Sequence, residues 1–95
     1  MDVRFYLDCE TGFPHIYGHQ VTEDEVIDVL SNPGEDRQGS EDSHIAIGQT
    51  ASGRYLRVIY TKDPQPGSYF VITAYELKGK PLAAYRRRQR RRSRR

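Results

Sequence analysis

Hydrophobic side chains in the second half of the chain recur at every second position. Between residues 54 and 61, Leu56 and Val58 fall on one face of an extended segment and Arg57 falls on the other. Two neighbouring segments, HIAIGQ and SYFVITAYE, are rich in β-branched and aromatic residues, and turns containing glycine or proline separate the three. The pattern predicts three consecutive strands, at residues 44–49, 54–61 and 68–76.

The segment before these strands carries the signals of an amphipathic helix. Thr22 and Glu25 have the spacing of a capping box, in which each side chain bonds the backbone N–H of the other residue. An apolar stripe begins at Val26, and the Asn-Pro-Gly sequence at 32–34 ends the helical pattern. These signals predict a helix over residues 22–31.

The remaining elements complete an α+β arrangement. Residues 3–7 alternate as a short strand, residues 15–17 form either a helical turn or irregular structure, and Pro81 suits the first turn of a closing helix. The polar, acidic stretch 35–43 is expected to be a mobile loop. The predicted order is β-(α)-α-β-β-β-α, an antiparallel sheet of about four strands with the helices packed on one face.

Charge divides the chain into two parts. Residues 1–85, predicted to be a single domain, carry 13 acidic and 7 basic side chains and a net charge of −6, whereas residues 86–95 contain eight arginines and have a charge of +8. Such a tail is either disordered or an extension of the last helix. It is typical of a solvated terminus, and also of a segment that binds RNA or DNA by neutralising phosphates. The candidate nucleic-acid contacts in the tail are Arg86, Arg87, Arg88, Arg90, Arg91, Arg92, Arg94 and Arg95.

Cysteine content, hydropathy and motifs exclude several other classes. The single Cys9 excludes an intrachain disulfide, and no apolar stretch reaches the roughly 20 residues of a membrane span. With an acidic N-terminal segment, these features predict a cytoplasmic protein that does not contact membranes. His15 and His19 have helical spacing, but without a third ligand they are better explained as cap or turn residues. Neither a metal nor a cofactor is expected, since no nucleotide-binding motif occurs.

Arginine, tyrosine and glutamate near the strand ends form the candidate site. Arg54 follows the hairpin glycine, Arg57 lies in mid-strand, and Tyr75 and Glu76 end the following strand. Arginine forks beside a tyrosine hydroxyl can clamp a phosphate and stabilise the charge that develops on it. The alternative is structural: Arg54 pairs with a loop carboxylate and Arg57 covers a solvent-facing surface of the sheet.

The segment from residue 15 to residue 87 resembles a known group of proteins. Its motifs are a histidine and a glycine ahead of VTEDEVIDVLSNP, followed by HIAIGQTASGRYLRVIYT, YFVITAYE and AAYRRR. They are similar to those of small bacterial proteins related to the BrnT toxins, in the RelE-like group of ribonuclease toxins, and most similar to a neighbouring domain family of unknown function. The resemblance implies a RelE-like α+β fold, metal-independent RNA cleavage by basic and polar side chains, and a cognate antitoxin.

When the site residues of the family are matched to this chain by position, some are present and others are not. Arg54 matches the family's arginine after the hairpin glycine, and His19 matches the histidine that leads into the long helix. The lysine and glycine that flank this histidine in the family are absent, and Tyr75 stands where the toxins commonly have an arginine. Arg86 and Arg87 can supply the basic residues of the closing helix.

Three functions are compatible with these features. The first is a metal-independent endoribonuclease, with His19 or Glu76 as the general base and Tyr75 or His19 as the acid. In that function the phosphate would be held by Arg54, Arg57 and Arg86. The second is non-catalytic binding of RNA or DNA through the arginine tail. The third is a protein-interaction module, including a homodimer in which the tail of one copy meets the acidic body of another.

Overall fold

The computed structural model describes residues 1–93, which form one mixed β-sheet with helical elements on both faces. In chain order the elements are β1 (Asp2–Phe5), the 3-10 helix η1 (His15–His19), α1 (Glu23–Ser31), β2 (Glu35–Gln38), β3 (His44–Gln49), β4 (Tyr55–Lys62), β5 (Ser68–Glu76) and α2 (Gly79–Ser93). The strands lie in the order β1-β5-β4-β3-β2. The predicted α+β class is confirmed.

Helix α1 begins where the capping box predicts. The Glu25 N–H donates to the Thr22 hydroxyl over 3.2 Å, and the Thr22 N–H donates to the Glu25 carboxylate over 3.0 Å. Three acidic side chains in the first turn also lie at the positive end of the helix dipole. The apolar stripe packs on the sheet, where Val26 and Val29 are fully buried. The predicted helix is therefore confirmed.

Strands β3, β4 and β5 form the centre of the sheet. Both pairs are antiparallel, with Val58 opposite Ala46 on one side and opposite Ala74 on the other. Leu56 and Val58 face α1 and are fully buried, as their alternation predicts. All three predicted strands are confirmed to within one residue at their ends.

The sheet gains a strand at the edge where a mobile loop was expected. Residues 35–38 form β2, antiparallel to β3. Its sequence, EDRQ, shows no apolar alternation because charged side chains on both faces find polar partners. The Tyr60 hydroxyl donates to the Asp36 carboxylate over 2.7 Å, and Arg88 pairs with Glu35 on the other face. Burial and the Asp36 carboxylate together raise the pKa of Tyr60.

The opposite edge makes the sheet mixed rather than antiparallel. Strand β1 runs parallel to β5, with Asp2 opposite Ser68 and Phe5 opposite Val71. Local alternation predicts that a segment is extended, but it carries no information about a partner so distant in the chain. The expected antiparallel sheet of about four strands is therefore corrected to a mixed sheet of five.

Helix α2 packs on the face opposite α1, which corrects the expectation that the helices share one face. Tyr85 is buried with Ile47 and Leu77 and contacts Tyr55. Along their strands, Ile47 and Tyr55 are each next to a residue that faces α1, so they themselves lie on the opposite face of the sheet. The ring reaches the sheet because residue 34 is glycine: an added Cβ there would lie 1.9 Å from the Tyr85 hydroxyl. Both faces of the sheet are thus covered, each by a different helix.

Helix α2 also crosses the boundary predicted between domain and tail. It runs without a break from Gly79 to Ser93, so the described part of the tail continues the closing helix. Arg94 and Arg95, two of the predicted nucleic-acid contacts, lie outside the described residues. None of the helices within residues 1–93 is long and apolar enough to cross a membrane.

Candidate functional site

Arg54 lies on the α1 face of the sheet among hydrogen-bond acceptors. Its Nη1 donates to both oxygens of Glu25, over 3.0 and 3.1 Å, and to the Gln20 carbonyl over 2.7 Å. Its Nε donates to Glu76 over 3.2 Å, and the side chain is only 23% exposed. Arg54 therefore joins the residue after η1, the first turn of α1 and the last residue of β5.

These contacts balance charge within the network. Burial opposes ionisation of Glu25, but hydrogen bonds from the Thr22 backbone and from Arg54 outweigh it and lower the pKa of that carboxyl. Burial also opposes the charge on Arg54, and hydrogen bonds to Glu25 and Glu76 outweigh it and raise the pKa of the guanidinium. This geometry matches the structural alternative for Arg54, with carboxylates from α1 and β5 rather than from a loop.

Arg57 faces the other side of the sheet. It lies in a row of register partners between Ile47 on β3 and Tyr75 on β5. Its Nε is buried, and within residues 1–93 that atom has no hydrogen-bond partner. The residues of the predicted phosphate clamp therefore lie on opposite faces of the sheet. Arg54 and Glu76 belong to the α1 face, and Arg57 and Tyr75 belong to the α2 face.

The arginines of α2 divide into two groups. Arg88 contacts both carboxylate oxygens of Glu35, one of them over 2.9 Å, and the hydrogen bond raises the pKa of Arg88. Arg92 and Gln89 donate to the Gly34 carbonyl over 2.6 and 3.1 Å. These contacts fasten the helix to the start of β2. The α2 arginines that take no part in these contacts with Glu35 and Gly34 are exposed, and they are Arg86, Arg87, Arg90 and Arg91.

A groove of about 380 Å³ lies between α2 and the sheet. The Arg86 guanidinium lies over the Tyr55 ring, 5.1 Å from its centroid, and the Tyr55 and Tyr85 rings meet edge to face at 6.0 Å. The glutamines Gln49 and Gln89 and Arg90 complete the lining. Aromatic rings, guanidinium planes and amides are the groups that stack on unpaired nucleobases and bond to their edges.

A second cluster brings together the predicted residues His19 and Tyr75. Their ring centroids lie 6.1 Å apart beside β5. On the other side of His19 the His15 ring is 5.1 Å away, edge to face, and His15 Nδ1 lies 2.8 Å from Asp8 Oδ1. Three successive contacts therefore connect four side chains, in the order Asp8, His15, His19, Tyr75.

A tight turn after β1 places Asp8 beside His15. The Asp8 N–H donates to the Phe13 carbonyl over 3.0 Å, and the Gly12 N–H donates to the Asp8 carbonyl over 2.8 Å. Gly12 has a φ of +74°, a conformation that favours glycine. The His15 N–H then donates to the Tyr6 carbonyl over 2.8 Å, which draws the chain back along itself.

Two contacts at these sites lie outside the sequence predictions. The first is the Asp8–His15 pair, whose signal is an acidic residue ahead of a Thr-Gly turn and a histidine after it. The second is the Glu25–Arg54 pair, which the sequence analysis did not predict because helix capping already accounts for Glu25. Its signal is the spacing of two positions between Arg54 and Leu56, which puts both side chains on the same face of the sheet, toward α1.

Within the described part of the chain, no three His, Cys, Asp or Glu side chains are arranged to hold a metal ion. Comparisons of the chain with protein-family models, with curated proteins and with solved structures found no match. The resemblance to the BrnT and RelE-like toxins therefore stays a prediction.

Proposed function

We propose that the protein binds single-stranded nucleic acid, RNA or DNA, along α2 and the adjoining face of the sheet. The observation that carries this proposal is the groove in which Arg86 lies over Tyr55, beside a helix surface of exposed arginines. Phosphates would follow the arginines, and an unpaired base would enter the groove and stack on its guanidinium or aromatic planes.

The charges on this face support the same function. Arg87 and Arg91 are one helical turn apart and both exposed, so they can contact successive phosphates of one strand. Arg57 adds a cation on the same face of the sheet whose Nε has no partner within residues 1–93. No ion pair within the described residues holds Arg57, so its guanidinium can pair with a ligand anion.

The test compares Arg86→Gln with a matched control, Lys78→Gln. Each variant loses one positive charge, but Lys78 does not line the groove. Affinity for short fluorescein-labelled RNA and DNA strands is measured by anisotropy at about 50 and about 200 mM salt. We expect Arg86→Gln to weaken binding about tenfold, since stacking contributes roughly 1–3 kcal/mol per base, and Lys78→Gln to weaken it less.

Two outcomes would contradict the proposal. Affinity that barely changes with salt would exclude phosphate neutralisation by α2. Equal losses in the two variants would show that overall charge, rather than the groove, holds the strand.

A second candidate is a metal-independent endoribonuclease of toxin type, favoured by the contact between His19 and Tyr75 next to Arg57. Glu76 is committed to Arg54, so His19 and Tyr75 are left to supply the acid and the base. The partners of this function would be cytoplasmic RNA and a cognate antitoxin. Cleavage of labelled RNA in EDTA tests it, and intact RNA would exclude it.

A further inference from the structure

We propose that His15, oriented by Asp8, is a general base that removes the proton of a ribose 2′-hydroxyl, and that His19 is the matching acid. This inference rests on the ribonuclease candidate and deepens it, since it assigns the base to a side chain that neither the sequence motifs nor the toxin resemblance indicated.

The Asp8 carboxylate sets the tautomer of His15. A carboxylate oxygen 2.8 Å from Nδ1 accepts the proton on that nitrogen, so the lone pair of the neutral ring lies on Nε2. The Tyr6 ring packs edge-on against His15 at 6.1 Å and restricts its rotation. The His15 side chain is 38% exposed, which leaves it accessible to a ligand. An oriented, accessible imidazole with a free Nε2 is the arrangement that a general base requires.

His19 is placed to act as the acid. Its ring lies between those of His15 and Tyr75, it is exposed, and its side chain makes no hydrogen bond within residues 1–93. In-line displacement at phosphorus needs the acid and the base on opposite sides of the reacting group. The two rings are 5.1 Å apart here, so the proposed reaction requires His19 to rotate away from His15, which Asp8 and Tyr6 hold in place.

The reaction is an intramolecular transesterification that needs no metal and no water. His15 Nε2 takes the 2′-hydroxyl proton as the 2′-oxygen bonds to phosphorus, and the bond from phosphorus to the 5′-oxygen breaks as protonated His19 gives that oxygen its proton. The products are a 2′,3′-cyclic phosphate and a 5′-hydroxyl. The cluster borders the cation of the binding face, since Tyr75 is the register partner of Arg57.

The experiment measures cleavage of single-stranded RNA in EDTA by the full chain and identifies the product termini. The variants are His15→Gln and Asp8→Asn, with His44→Gln and Glu10→Gln as matched controls on a histidine and an acid outside the cluster. Binding of the same RNA with 2′-O-methyl groups, which cannot be cleaved, is measured in parallel.

We expect cyclic phosphate ends from the wild type. His15→Gln should lower kcat by about 100-fold or more, and Asp8→Asn by about tenfold, with binding of methylated RNA unchanged in both. Asp8→Asn should also move the proton of neutral His15 from Nδ1 toward Nε2. Imidazole 15N shifts report that change, and a merely structural role for Asp8 would not produce it.

The outcomes separate this inference from the functions beneath it. Cleavage that persists in His15→Gln would overturn the assignment of the base and leave the ribonuclease candidate standing. Binding of methylated RNA without cleavage of unmodified RNA would overturn both and leave nucleic-acid binding. Cleavage that leaves 3′-hydroxyl ends would also overturn the inference, because the 2′-oxygen would not be the nucleophile.

Discussion

Arg54 and Arg57 lie on opposite faces of the sheet and have different surroundings. On the α1 face Arg54 is bound by Glu25, Glu76 and a backbone carbonyl, and its charge is neutralised where it stands. On the α2 face Arg57, three positions later, has a buried Nε that no acceptor within residues 1–93 meets. Strand alternation alone sends the two side chains to different environments.

The difference shows that an arginine motif does not by itself identify an anion site. Arg54 has the position that the toxin resemblance favours, yet its neighbours make it a structural link between α1 and β5. Arg57, by contrast, has no hydrogen-bond partner for its Nε within the described residues. The predictions below test whether the two faces differ in stability, in docking of α2 and in ligand binding.

The largest expected effect is on the α1 face. Arg54→Gln leaves two carboxylates facing each other without their cation, and we expect the free energy of unfolding to fall by about 2–3 kcal/mol. Arg57→Gln removes no pairing and should change that free energy by less than about 0.5 kcal/mol. Urea denaturation of both variants checks the comparison, and equal losses would show that the faces do not differ.

Next in size is the docking of α2. Gly34→Ala brings a methyl group into the space of the Tyr85 hydroxyl, and we expect it to lower the free energy of unfolding by about 2 kcal/mol. Tyr85→Phe removes the hydroxyl, so in the double variant part of that loss should be recovered. Hydrogen exchange of the α2 amides reports the docking, and identical losses with and without Tyr85→Phe would contradict the contact.

The ligand-binding arm of the comparison concerns Arg87 and Arg91. Replacing both by glutamine removes two phosphate contacts. The plot of log affinity for single strands against log salt should then become less steep by about 1.4, since each contact contributes about 0.7 to the slope. Stability should not change, because both side chains are exposed. The control, Lys62→Gln with Lys78→Gln, removes the same charge elsewhere, and an equal fall in slope there would argue against a site on α2.

The smallest effect should appear in acid. Glu25 has a lowered pKa in the folded chain, so its contribution to stability is present above its usual value of 4.5 and is lost as pH falls through the lowered value. In Glu25→Gln this part of the pH dependence should disappear, whereas Arg57→Gln should retain it. The measurement is the urea midpoint between about pH 5 and about pH 2, and matching curves for Glu25→Gln and the wild type would contradict it.

Local signals account for the elements that were predicted correctly. The capping box of α1 and the alternation of β3, β4 and β5 depend on residues a few positions apart, which the sequence displays directly. Strand β2 could not be found in this way. Its side chains are polar, and what stabilises them is Tyr60 from β4 and Arg88 from α2, both distant in the chain.

The candidate site was predictable only in part. Alternation correctly turns Arg57 to the face opposite Leu56 and Val58, and the same rule applied to Arg54 points it toward α1. His19 and Tyr75 do meet, but the Asp8–His15 pair next to them depends on a turn whose geometry the sequence indicates only through Thr11 and Gly12. A contact that closes through such a turn is decided by backbone hydrogen bonds rather than by side-chain pattern.

The parallel pairing of β1 with β5 determines when β1 can enter the folded sheet. Asp2 and Ser68 are 66 positions apart, so β1 has no partner until β5 has been synthesised. Asp8 and His15 follow β1, and Tyr75 belongs to β5. In a nascent chain, Tyr75 can therefore join the histidines of the cluster only after β5 has been synthesised.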